Sequence, residues 1–184
     1  MSAQSPFILP ISGLSQGIYR YDLIVDDAFL ATFPNAPVKH AEVAVQLNVD
    51  RQMRQLILDV AFSGTVRTDC DRCLAEVDFP ITDQGQLVVK FSAEAESLSE
   101  EGDLVYLHPD ASLFNVAPFV YEMVILAMPM IRTFDCRTGD APFPCDEEML
   151  NRIDDSIASA ADIATPKGED DDKPSPWDAL KDLK

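Results

Sequence analysis

Residues 38–66, "VKHAEVAVQLNVDRQMRQLILDVAFSGTV", decide the fold. In the first half Val43, Val45, Leu47 and Val49 alternate with Glu42, Gln46 and Asn48, the two-residue period of a half-buried strand. Asp50, Arg51 and Gln52 read as a turn. The second half alternates again through Leu56, Leu58, Val60, Phe62 and Val66. Two such runs joined tightly make an antiparallel hairpin with one dry face and one wet one.

Outward from this hairpin the pattern continues. After a bend at "TDCDRC", the segments "LAEVDFPI" and "QLVVKF" read as two further strands, which gives a four-stranded meander. Upstream, two short strand-like segments are joined through Gly13 and Gly17, and Asp26 and Asp27 cap a short turn in "DDAFLATF". "PNAP" at 34–37 is a loop signal. Residues 92–103 are a run of acids expected to form a solvated loop, and "LVYLHP" adds a short strand.

Two helices follow. In "NVAPFVYEMVILAMP", Asn115 is placed to cap, and Val116, Phe119, Val120, Met123, Val124 and Ala127 share one face; Pro129 ends the helix. "CDEEMLNRIDDSIASAADI" opens with acids that suit a helix N-terminus and carries Met149, Leu150, Ile153 and Ile157 on one side. The expected architecture is α+β, an antiparallel meander with two helices packed on one face. Residues 1–164 form the domain. Residues 165–184 are an acidic tail, too polar at first to fold, that ends in an amphipathic turn carrying Trp177, Leu180 and Leu183. A lone tryptophan in such a segment is expected to dock, either on the domain or on a partner.

The chain has 32 acidic and 14 basic residues, a net charge of −18. Phosphate backbones and anionic membranes repel such a protein, whereas a basic protein attracts it. Its opening has neither a basic n-region nor a continuous apolar core, and its longest apolar run is interrupted by Pro118, Glu122 and Pro129. The expectation is a cytoplasmic protein with reduced thiols, without membrane association, in which two disulfides are not expected.

Catalytic motifs are sparse. "GLSQG" at 13–17 fits a nucleophile elbow around Ser15, but that motif needs a helix after the serine and "IYRYDL" reads as strand. The histidines, His40 and His108, fall on a wet strand face and before a proline. Phosphate-binding glycine loops and zinc-helix motifs are absent from the sequence. No enzymatic activity is expected.

The four cysteines carry the remaining chemistry. Cys70 and Cys73, two residues apart at a strand bend, have the spacing of half a zinc site, for which Cys136 and Cys145 supply the other half. The eight residues between the latter pair are a looser spacing than usual. One structural zinc ion and free thiols are both compatible with this set. Redox chemistry is disfavoured because Asp69 and Asp71 are expected to raise the thiol pKa. Arg72, between the first two cysteines, reads as an exposed cation, or as one in a local ion pair with Asp69 or Asp71.

Taken together, "ISGLSQGIYRYDLIVDDAFL", "GTVRTDCDRCL", "LVVKF", "NVAPFVYEMVILAMPMI", "CDEEMLNRI" and "PWDALKDLK" resemble the YceD family of large ribosomal RNA subunit accumulation proteins, the tail looking most like a Bacteroidetes-like branch. The resemblance implies a non-enzymatic role in accumulation or processing of the large-subunit ribosomal RNA, with all four cysteines at family cysteine positions. Combined with the charge, it implies a factor that binds a basic large-subunit ribosomal protein or pre-ribosomal particle, with ribosomal RNA affected indirectly. Arg72, Trp177 and Leu180 are the expected partner contacts. The alternatives are direct RNA binding through a patch of Arg51, Arg54, Arg67 and Arg72, or a zinc-stabilised interaction module with no ribosomal role.

Overall fold

The computed structural model describes residues 3–93, 100–101, 104–136 and 144–163. Trp177, Leu180 and the rest of the expected tail lie outside them, as does most of the acidic run at 92–103. The chain divides into two compact units, Met1–Asp146 and Glu147–Lys184.

The first unit is built on a sheet of strands in the order β2-β3-β4-β5-β7-β6. Its body is the antiparallel meander of β2 (Gly17–Val25), β3 (His40–Arg51), β4 (Gln55–Asp69) and β5 (Glu76–Phe91). β7 (Leu104–Leu107) pairs parallel to β5, and β6 (Glu100–Glu101) closes the edge. The alternation read from the sequence is the burial pattern observed. Val43, Val45, Leu47 and Val49 on β3 and Leu56, Leu58, Val60 and Val66 on β4 are buried, while their neighbours face solvent. The fold is α+β.

β5 differs from the reading of two strands. Thr82, Asp83, Gln84 and Gly85, which lie between the two expected strands, each pair with a residue of β4, from Ser63 to Val60. The glycine marks close approach rather than a break. A Cβ at Gly85 would lie 2.7 Å from Met123 Cε, because α2 (Ala117–Leu126) crosses the sheet there. Val116, Ala117, Val120 and Val124 of that segment are buried, and Asn115 Oδ1 accepts from the Ala117 amide at 3.0 Å. Thus the expected apolar face forms, but the cap position is Val116, which makes no side-chain cap bond, and Asn115 acts from one residue earlier.

Upstream, α1 (Asp27–Leu30) is capped by Asp26, whose Oδ1 accepts from the Phe29 amide at 2.8 Å. β1 (Ile8–Pro10) pairs with β8 (Leu113–Asn115) in a separate two-stranded sheet, not with β2. This pairing ties the N-terminus to the start of α2, since the Val116 amide donates to Phe7 O at 3.0 Å. The second unit begins with α3 (Glu147–Ile163), which carries Glu147 and Glu148 in its first turn, where the helix dipole favours acids.

Candidate metal centre

The cysteine bend lies where β4 ends and β5 begins. Its backbone is a tight knuckle: the Cys70 amide donates to Ala75 O at 2.8 Å and the Leu74 amide to Cys70 O at 2.9 Å. Leu74 closes it with φ of +60°, a conformation that glycine adopts without cost and leucine does not. The knuckle buries both thiols.

The segment after α2 runs past this knuckle. The Asp71 amide donates to Arg132 O at 2.7 Å, and the Arg132 amide donates to Asp71 Oδ2 at 2.8 Å. The Arg132 guanidinium adds a bond to Asp71 Oδ1 at 2.9 Å and another to Thr68 Oγ1 at 3.1 Å. The Arg132 amide, with its guanidinium, holds the Asp71 carboxyl below its ordinary range. This clasp brings Cys136 against the knuckle, with its sulfur 4.0 Å from that of Cys73.

Cys145 completes a group in which the sulfurs of Cys73, Cys136 and Cys145 lie within 4.8 Å of one another. The sulfur of Cys70 contacts that of Cys73. The two cysteine pairs predicted from spacing therefore meet, with Cys73 of the first pair joining Cys136 and Cys145. One feature corrects the expectation of reduced thiols: Cys136 and Cys145 are joined as a disulfide, with Cα atoms 5.8 Å apart, well within disulfide reach. The loose spacing of this pair does not prevent the approach.

The electrostatics also correct the sequence reading. Burial pushes the Cys70 thiol up, but the backbone N–H groups of Phe134, Cys73 and Arg72, together with the Cys73 thiol, outweigh it, and the net shift is downward. Asp71 does not raise the thiol pKa as expected, since its carboxylate is turned into the Arg132 clasp. Amide donors aimed at a sulfur favour the thiolate, the form that binds a metal. The donor geometry fits as well. Tetrahedral zinc with thiolate bonds of about 2.3 Å places sulfurs about 3.8 Å apart, close to the Cys73–Cys136 separation. Three sulfurs, those of Cys73, Cys136 and Cys145, are close enough together to hold a metal, and two of them are paired with each other as the disulfide.

The arginines are placed differently from the patch drawn in sequence. Arg51 and Arg54 lie at the β3–β4 turn, whereas Arg67 and Arg72 lie at the opposite end of β4, about 40 Å away at the rise of an extended strand. Arg51 is folded inward, its guanidinium 4.5 Å from the centre of the Phe91 ring and donating to Gln52 O. Arg67 is clasped by Asp78, with bonds of 2.8 and 3.0 Å. Arg72 is half-buried in the knuckle, where its amide serves Cys70; among the described residues it has no ion pair, and Asp71 turns to Arg132 instead.

Ser15 stands in the loop before β2 with a strand after it, not a helix, so the elbow context is missing. His40 Nδ1 sits 2.8 Å from Asp27 Oδ2, and His108 lies beside Asp110. Sequence reading missed Arg132 and the Phe134 amide. Their signal was positional: if the two cysteine pairs meet, the residues just before Cys136 must pass the knuckle.

A small α+β protein with a cysteine knuckle clasped to the segment after its first long helix is the class that fold and site define. The sequence model of the family described as large ribosomal RNA subunit accumulation protein YceD matches residues 58–184, from near the start of β4 through the knuckle, α2 and both later cysteines. The chain belongs to this family. Searches among curated proteins and among solved structures returned no match.

Proposed function

We propose that this protein supports large-subunit ribosomal RNA accumulation by receiving a basic protein of the large subunit, which it shields and delivers to the assembling particle in the cytoplasm. What supports this reading over RNA binding is the disposition of charge. The chain carries 32 acidic residues against 14 basic ones, and the arginines nominated for an RNA patch sit at opposite ends of β4. Counterion release, the main source of affinity for RNA, needs several cations along one phosphate path. An acidic surface speeds the encounter with a lysine- and arginine-rich protein instead. Arg72, Trp177 and Leu180 remain the proposed contacts of the knuckle and tail with the same partner.

The test is a salt titration of the purified protein against large-subunit ribosomal RNA and, in parallel, against the proteins extracted from large subunits. Binding to the proteins that weakens with salt, without binding to the RNA at low salt, is expected. Tight RNA binding with a steep salt slope would favour the RNA reading.

We further propose that the reduced cysteines hold one structural zinc ion. The ion would supply no reaction. It would brace the end of the sheet against the segment after α2, a task the Asp71–Arg132 clasp already serves in part. Metal analysis of the reduced protein is expected to give one equivalent of zinc, lost in Cys73→Ser. Equal metal content in both proteins would exclude the site.

A further inference from the structure

The wet face of the meander holds three adjoining depressions that together form a trough along β3, β4 and β5. Their volumes are about 230, 480 and 460 Å³. The floor of the middle depression is set by two cross-strand rows, Ala44–Ser63–Thr82 and Gln46–Ala61–Gln84. All six residues are exposed, and none is charged.

The rim has the opposite character. Glu42 and Asp78 stand at one end, Asp59 lies further along, and Asp22 flanks the side at β2. Of the cations on this face, Arg67 is held by Asp78 and Arg20 by Asn48 Oδ1 at 3.1 Å, while Lys90 stands beyond the far end of the trough, opposite Gln55. An uncharged centre within a charged rim is the layout of a protein interface, whose core is depleted of charge.

Ala44 and Ala61 sharpen this. Both occupy exposed mid-strand positions, where threonine or another β-branched residue would favour the sheet by up to about 1 kcal/mol. Sheet stability therefore does not ask for alanine at either site. Small side chains keep the floor low, which matters only if another surface comes close.

We infer that this trough is the docking surface for a lysine- and arginine-rich segment of a protein partner, an inference that rests on the partner class proposed above. The acidic rim selects the occupant: it attracts a basic segment, repels a phosphate backbone, and would meet its own like charge in a second copy of this chain. From the His40 row to the Asn48 row is about 27 Å along β3, and the trough with the flanking β2 is about 19 Å wide. A footprint of roughly 500 Å² per partner belongs to the transient class of complexes, as suits a factor that must release its cargo.

The test uses the full chain and the double variant Ala44→Tyr/Ala61→Tyr, which fills the trough with residues that strands favour. The probe is the protein fraction extracted from purified large ribosomal subunits, with captured proteins identified by mass spectrometry and their affinities then measured individually. Wild type is expected to capture a basic subunit protein. The variant is expected to bind that protein at least about tenfold more weakly while melting at or above the wild-type temperature. Equal affinity in the variant would overturn the trough as the docking surface and leave the partner class standing. Capture of no basic protein by wild type would overturn both. Retention of large-subunit RNA by wild type and its loss in the variant would overturn the basic occupant.

Discussion

Substituting Gly64 and Gly85 of the meander by alanine separates two kinds of close approach. At Gly64 a Cβ would fall on the Glu42 carbonyl oxygen and lie 2.5 Å from Val43 Cα. Both atoms are backbone of the paired strand, so no side chain can retreat and β3 must move away from β4. Overpacking a core costs about 1–3 kcal/mol even when side chains can yield. Against backbone we expect Gly64→Ala to lose at least about 3 kcal/mol. At about 2–4 °C per kcal/mol for a unit of this size, melting falls by roughly 6–12 °C or more. At Gly85 the obstruction is Met123, with Cε at 2.7 Å and Sδ at 3.3 Å, the far end of a flexible side chain. Gly85→Ala is expected to lose only about 1 kcal/mol. Much of that loss should vanish when measured in a Met123→Ala background, because the two residues touch. Thermal melts and urea titrations followed by circular dichroism read both effects. Wild-type melting in Gly64→Ala, or a larger loss in Gly85→Ala than in Gly64→Ala, would refute the close strand approach described.

Other consequences follow from the knuckle and the caps. Leu74 is exposed and held at φ of +60°, so Leu74→Gly is expected to raise stability by up to about 1 kcal/mol in urea unfolding, since strain is relieved and little burial is lost. Asp26→Ala removes the cap of α1 and should lower stability by about 1 kcal/mol by the same measurement. The Asp71 carboxyl is held below its unfolded value by the Arg132 amide and guanidinium. Its contribution is therefore complete above about pH 4, the unfolded range for aspartate, and is lost as pH falls through the lowered folded value. Melting curves between pH 7 and pH 2.5 should show Arg132→Gln less stable than wild type at neutral pH, with the gap narrowing in acid. A gap that does not change with pH would contradict the clasp.

Much of this fold was legible because alternation is a local signal. Val43 to Val49 and Leu56 to Val66 announce their faces without knowledge of what covers them, and the apolar face of α2 does the same. The errors lie where tertiary structure overrides local signals. The "TDQG" stretch in β5 has turn composition, but pairing with Val60–Ser63 and the crossing of α2 at Gly85 keep it extended. β1 pairs with β8, more than a hundred residues away, and nothing in three residues names such a partner. At the candidate metal centre the meeting positions of the two cysteine pairs were readable from spacing. Their electrostatics were not, because the amides facing Cys70 and the Arg132 clasp depend on the return of a segment 61 residues further along. The arginine patch failed for a geometrical reason: a long strand carries residues that are close in sequence to opposite ends of the sheet.

The role in large-subunit assembly is tested most directly in cells lacking this protein, by measuring large-subunit ribosomal RNA relative to small-subunit ribosomal RNA. The ratio is expected to fall, to recover with the wild-type chain, and to stay low with Ala44→Tyr/Ala61→Tyr expressed at the same level. An unchanged ratio in the absence of the protein would contradict the assembly role itself.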